Sequence, residues 1–244
     1  MNAPTLKAIA ERPQHSVGAF CPEQNASPAG ARSHETPASP RCRSARTAAC
    51  GLLLGILLLG CSSGPELSPL SSQARILAFG DSLTFGTGAP SGQGYPEVLA
   101  ELTGLEVINA GIPGETTTGG RLRLADVLAE HRPALVVLVH GGNDTLRRQP
   151  AQTTRDNLEA MIETIRAADA QVVMLAVPGA SLTLAPPDYY AEVASAEAVP
   201  IDDGTLRRLM RSSEYKSDQV HFNAAGYRRM AEAVRDLLQA SGAL

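Results

Sequence analysis

The apolar run Ile76-Leu77-Ala78-Phe79 stops abruptly at Gly80-Asp81-Ser82, and this break constrains the fold more than any other stretch of the chain. Consecutive apolar residues with no polar alternate suit a strand covered on both faces, as strands of parallel sheets are. Gly80, Gly86 and Gly88 then force a tight turn, which leaves one hydroxyl, Ser82, at its tip. The pattern recurs downstream. Leu105 to Ala110 runs into Gly111-Ile112-Pro113-Gly114-Glu115-Thr116, and Ala134 to His140, the clearest strand in the chain, runs into Gly141-Gly142-Asn143-Asp144. Val172 to Val177 is a fourth strand and Ala198 to Ile201 a weaker fifth.

Helical spacing fills the intervals. Tyr95 to Leu102 carries Pro96 at a permissible early position and ends at Gly104. Leu122, Leu124, Val127 and Leu128 mark an amphipathic helix that stops before Pro133. A third helix, from about Thr153 to Ala168, places Leu158, Met161, Ile162 and Ile165 on one face, a short one spans about Tyr190 to Glu197, and Ala224 to Leu238 closes the chain. Strands and helices alternating through short connections predict an α/β fold, a three-layer α/β/α sandwich with about five parallel strands. Such sheets place their sites beyond the carboxyl ends of the strands. Ser82, Gly114 and Asn143 follow strands one, two and three, so they are expected on one rim.

The first part of the chain reads differently. Residues 1–46 are rich in Pro, Ser, Ala and Arg without apolar periodicity, and are expected to be disordered or a mis-assigned N-terminal extension from a start codon placed too far upstream. Residues 47–61 form an apolar run preceded by Arg41, Arg43 and Arg46, too short for a membrane span and suited to an export signal. Its end, Leu58-Leu59-Gly60-Cys61, resembles the bacterial lipoprotein box, in which the cysteine is lipidated and becomes the mature N-terminus. That resemblance implies an exported protein of the cell envelope, held in the membrane by a lipid on Cys61, with Ser62 favouring the outer membrane; an uncleaved membrane anchor is the alternative. Residues 62–72, rich in Ser and Pro, read as a tether, and residues 73–244 as the folded domain.

All four cysteines lie at or before Cys61, so the folded domain carries neither a disulfide nor a cysteine metal site. Beyond Cys61 there are 15 Lys and Arg against 22 Asp and Glu, a net charge of −7 with no basic block, which argues against nucleic acid as a partner. A serine nucleophile needs a base, and only His131, His140 and His221 lie in the folded part. His131 ends a helix and suits a surface or capping role, while His140 stands at a strand end beside the rim, a candidate for supporting the site residues from just behind them. His221 follows Asp218 by three residues in a loop before the last helix, a spacing that lets a carboxylate orient the imidazole. Asp218 acting only as a local cap is the competing reading.

Gly80-Asp81-Ser82-Leu83, Gly114 in its loop, Gly141-Gly142-Asn143-Asp144 and Asp218-Gln219-Val220-His221 together resemble, in order, the four blocks of the GDSL or SGNH hydrolase superfamily. Within it the likeness is to the bacterial thioesterase I, lysophospholipase and arylesterase branch. The resemblance implies a flavodoxin-like sandwich and a serine esterase or thioesterase without cofactor or metal, acting on small acyl esters through an acyl-enzyme on Ser82. His221 is then the base and Asp218 its orienter, with the oxyanion held by the N–H groups of Ser82 and Gly114 and the side-chain amide of Asn143. Asn143 as a turn residue satisfying local backbone groups stays open beside this role. Two departures stand out. Phe222 replaces the more usual Pro after the histidine, a change expected to alter loop stiffness more than chemistry. Between Val177 and Asp218 the likeness fades, in the stretch expected to line the acyl side of the pocket. A short-acyl or sugar O-acetyl esterase, and a non-catalytic flavodoxin-like binding lipoprotein, are the alternatives; a P-loop at Gly80 to Gly88 is disfavoured because no Lys follows Gly86.

Overall fold

The computed structural model describes residues 64–244; the expected export signal and Cys61 lie outside them. Five parallel strands form one sheet: β1 (Arg75–Gly80), β2 (Glu106–Gly111), β3 (Leu135–Val139), β4 (Gln171–Leu175) and β5 (Ile201–Asp202). Their spatial order is β2-β1-β3-β4-β5, the flavodoxin-like arrangement. The chain starts at β1, crosses to one side for β2, then returns past β1 to build β3, β4 and β5. The crevice between the ends of β1 and β3 is therefore the topological switch point, where open α/β sheets bind ligands.

The continuous apolar runs have the expected cause. Every residue of β3 is fully buried, as are Ile76 to Phe79 of β1, because helices cover both faces. Side chains of this kind each contribute about 1.5–3 kcal/mol by leaving water. β2, at the sheet edge, is only half-buried. The helices are α1 (Ser82–Phe85), α2 (Tyr95–Thr103), α3 (Thr117–His131), α4 (Gly142–Leu146), α5 (Ala151–Ala167), α6 (Tyr189–Ala196), α7 (Thr205–Arg211) and α8 (Ala224–Ala240). Sequence periodicity finds α2, α3, α5, α6 and α8 within a few residues, but it misses α1, α4 and α7. Those three have seven residues or fewer, too short to show an apolar stripe. The fifth strand is shorter than expected and begins at Ile201, after Pro200, which has no N–H for a sheet ladder.

The stretch read as a tether is fastened along part of its length. The N–H groups of Leu67 and Leu70 donate to Ser241 O and Ala243 O just beyond α8, and both leucines pack against the core. Ser68 exchanges two hydrogen bonds with the side chain of Gln171, the first residue of β4. No helix among the described residues is long and apolar enough to cross a membrane.

Candidate active site

Ser82 opens α1 directly after β1. The Asp81 side chain caps this turn, its Oδ1 accepting from the Leu83 N–H at 3.1 Å. Asp81 is almost wholly buried, and burial pushes its carboxyl pKa up, opposed by nearby His140, the Leu83 N–H and the Asn143 amide.

His221 reaches Ser82 from the far end of the chain. Its loop is pinched by an antiparallel bridge between Lys216 and Phe222 and by a bond from Ser217 N–H to His221 O. Phe222 is fully buried and meets Tyr227 edge-on at 5.7 Å, while the Tyr227 hydroxyl donates to Thr87 O at 2.7 Å. The aromatic residue that replaces Pro thus seats the histidine loop in the core by packing. Gly88 makes the approach possible: a Cβ there would stand 2.0 Å from Ser217 Oγ and 2.7 Å from Phe222 O.

The result is a continuous relay. His221 Nε2 lies 3.0 Å from Ser82 Oγ, and His221 Nδ1 lies 2.7 Å from Asp218 Oδ2. The other Asp218 oxygen accepts from the N–H groups of Val220 and His221, both at 2.8 Å. Local capping and orientation of the imidazole are therefore both realised, one oxygen to each. Against a burial effect that would raise it, the His221 ring and these two N–H groups bring the Asp218 pKa down to about 2. An ionised carboxylate only accepts, so the imidazole proton sits on Nδ1, and Nε2 is left free to accept from the Ser82 hydroxyl.

Gly114 follows β2 with φ of +78°, in the left-handed region, so the position suits glycine by conformation; a Cβ would meet only Arg147 Nη2 at an ordinary 3.6 Å. Arg147 donates to Gly114 O at 2.7 Å and holds this loop from the solvent side. Asn143, in α4, donates from Nδ2 to Asp81 Oδ2 at 3.1 Å and to Glu115 O at 3.0 Å. Its amide thus joins the loops that follow β1 and β2.

A cleft of about 450 Å³ connects these groups, with Ser82, Gly114, Asn143 and His221 on its wall. Pro113, Leu146, Val177, Leu184, Met210 and Val220 make the remainder largely apolar. Val177, Pro178, Gly179 and Leu184 come from the stretch after β4 where the likeness to the thioesterase branch fades.

Of the other histidines, His131 lies 3.8 Å from Glu130 and outside the cleft. His140 is fully buried behind the rim. Sequence reasoning missed three acidic residues beside the site: Asp81, Glu115 and Asp144. Asp144 accepts from both the N–H and the hydroxyl of Thr117, at 2.9 and 2.6 Å, and so caps α3 from across the chain. All three sit inside the quoted motifs, but only the fold reveals their partners.

A flavodoxin-like sandwich with a Ser–His–Asp hydrogen-bond chain at its switch point defines a class of serine hydrolases built on parallel α/β sheets. Residues 78–229 match the GDSL-like Lipase/Acylhydrolase family, and the chain belongs to it. It is a carboxylic ester hydrolase. It is similar to the arylesterase of Vibrio mimicus, 35% identical over 182 residues that cover 68% of this chain and 86% of that one. Esterase TesA of Pseudomonas aeruginosa is 35% identical over 139 residues, 55% of this chain and 66%, just under two thirds, of the relative. A crystal structure of TesA superposes with a TM-score of 0.61 at 29% identity, covering 68% of this chain and 98% of the other.

Proposed function

We propose that Ser82 is the nucleophile of an esterase and thioesterase, with His221 as general base and Asp218 as its orienter. The observation that carries this reading is the unbroken chain Ser82 Oγ to His221 Nε2, His221 Nδ1 to Asp218 Oδ2, opening onto an apolar cleft. Ser82 Oγ attacks the acyl carbon while His221 Nε2 takes its proton, and Asp218 stabilises the imidazolium that forms. The oxyanion is held by the N–H groups of Ser82 and Gly114 and by the amide of Asn143, which turns a donor from Asp81 or Glu115 toward it. Collapse expels the alcohol or thiol, protonated by His221, and leaves an acyl-Ser82. Water, deprotonated by the same imidazole, then releases the acid. No step calls for a cofactor or metal.

The acyl group lies along Leu146, Val177 and Leu184, and the substrate is a small acyl ester or thioester of the arylesterase, lysophospholipase or acyl-CoA type. Residues 47–61 direct export, and Cys61 carries the lipid that holds the protein in the cell envelope. The test is Ser82→Ala, assayed on p-nitrophenyl esters and acyl-CoAs of graded chain length. Activity falls by on the order of 10⁶, and fluorophosphonate labelling disappears. Retained hydrolysis in Ser82→Ala refutes the assignment, while the chain-length profile separates a longer-acyl enzyme from a short-acyl or O-acetyl esterase.

A further inference from the structure

Behind the cleft lies a buried polar cluster that the catalytic relay does not use. Glu115 immediately follows Gly114, and its side chain is only 10% exposed. Arg123 of α3 grips this carboxylate with two prongs, Nε to Oε1 at 2.8 Å and Nη2 to Oε2 at 2.7 Å. Fully buried His140 approaches from the other side, Nε2 to Oε2 at 3.2 Å. The Gly141 N–H donates to His140 Nδ1 at 3.1 Å, which fixes the imidazole proton on Nε2, facing Glu115. Burial would raise the Glu115 pKa, but the His140 and Arg123 bonds bring it below the usual carboxylate value. Arg123 also lies 4.1 Å over the Phe79 ring, and its Nη2 donates to Ala110 O at 2.9 Å and Gly80 O at 3.3 Å.

These bonds have a common geometry. Gly80 O is the backbone acceptor just ahead of Asp81-Ser82, Ala110 O lies near the end of the strand that leads to Gly114, and His140 stands three residues before Asn143. Glu115 adds a bond of its own, since its backbone carbonyl accepts from Asn143 Nδ2. Through Arg123 and His140, and through its own backbone carbonyl, Glu115 therefore joins the chain segments that carry all three oxyanion donors. We infer that Glu115 is the positioning residue of the oxyanion pocket, and that it holds Arg123 and His140 so that together they set the spacing of Ser82, Gly114 and Asn143. The inference rests on the oxyanion donors assigned above. Glu115 does not line the cleft.

Preorganised donors act on the transition state and leave ground-state binding almost untouched, so kinetics separates positioning from mere support of the fold. In the full-length protein, Glu115→Gln keeps the shape but loses the charge, and Arg123→Lys keeps the charge but loses the two-pronged grip. On p-nitrophenyl butyrate each variant lowers kcat by about 10- to 100-fold with KM within about 2-fold, a fraction of what losing a whole donor costs. Fluorophosphonate labelling of Ser82 slows in parallel. In the Asn143→Ala background the same substitutions cost at least about 5-fold less, because the donor that Glu115 bonds directly is gone. Normal kcat per folded molecule, whatever the melting temperature, overturns the inference, and so do losses that multiply fully with Asn143→Ala. If Asn143→Ala itself keeps normal kcat while Ser82→Ala is dead, the assignment of Asn143 falls and the inference falls with it, but the nucleophile stands.

Discussion

Asp218→Asn separates the two jobs of one side chain. Asp218 Oδ1 takes the Val220 and His221 N–H groups, and Oδ2 faces His221 Nδ1 at 2.7 Å. An asparagine that keeps its oxygen on the two backbone donors must present its NH₂ to Nδ1. A donor facing Nδ1 forces that nitrogen to accept, so the proton moves to Nε2, which then points a hydrogen at Ser82 Oγ and can no longer take its proton. The loop survives and the base is lost. Loss of the correct tautomer costs on the order of 10⁴ in kcat, or about 5.4 kcal/mol at 1.36 kcal/mol per decade. The Asp218 side chain is 53% exposed and the backbone bonds persist, so the melting temperature moves by less than about 2 °C. Stopped-flow hydrolysis of p-nitrophenyl butyrate beside calorimetry measures both. A kcat within tenfold of the parent would refute the tautomer argument, and a collapse in melting temperature would show that Asp218 serves the loop first.

Asn143→Ala removes a donor from the proposed oxyanion pocket and, at the same time, a bond to buried Asp81. Steady-state kinetics should show kcat down by on the order of 10²–10³ with KM nearly unchanged, and urea melts a loss of about 1–3 kcal/mol. Because folding lowers the Asp218 pKa from its ordinary value of 3.8 to about 2, its stabilising effect is complete above the unfolded value and fades as pH falls through the folded one. The melting-temperature gap between the parent and Asp218→Asn should therefore shrink from pH 5 to pH 2, and a gap that widens on acidification would contradict that sign.

The strands and the relay were legible because each leaves a local mark. Ile76 to Phe79 and Leu135 to Val139 are apolar without interruption, and Asp218 and His221 share one short loop. The supporting contacts leave no such mark. Asp144 meets Thr117 across 27 residues, and Asn143 meets Asp81 across 62. Nothing in either neighbourhood signals its partner before the sheet brings β1, β2 and β3 side by side. Phe222 illustrates the same limit: the departure from Pro is visible in the sequence, but its seat against Tyr227 exists only in the folded chain.

The bonds between Ser68 and Gln171 fix the end of the sheet on which the N-terminal arm runs. Gln171 begins β4, and Val177, six residues on, lines the cleft. At about 3.3 Å per residue the strand separates them by roughly 20 Å. The N-terminal arm thus leaves from the back of the sheet while the mouth opens at the front. A lipid on Cys61, as proposed above, would then tether the protein from the face opposite the cleft. A membrane holding that proposed lipid would lie behind the sheet, and the proposed acyl esters would reach Ser82 from the side away from it.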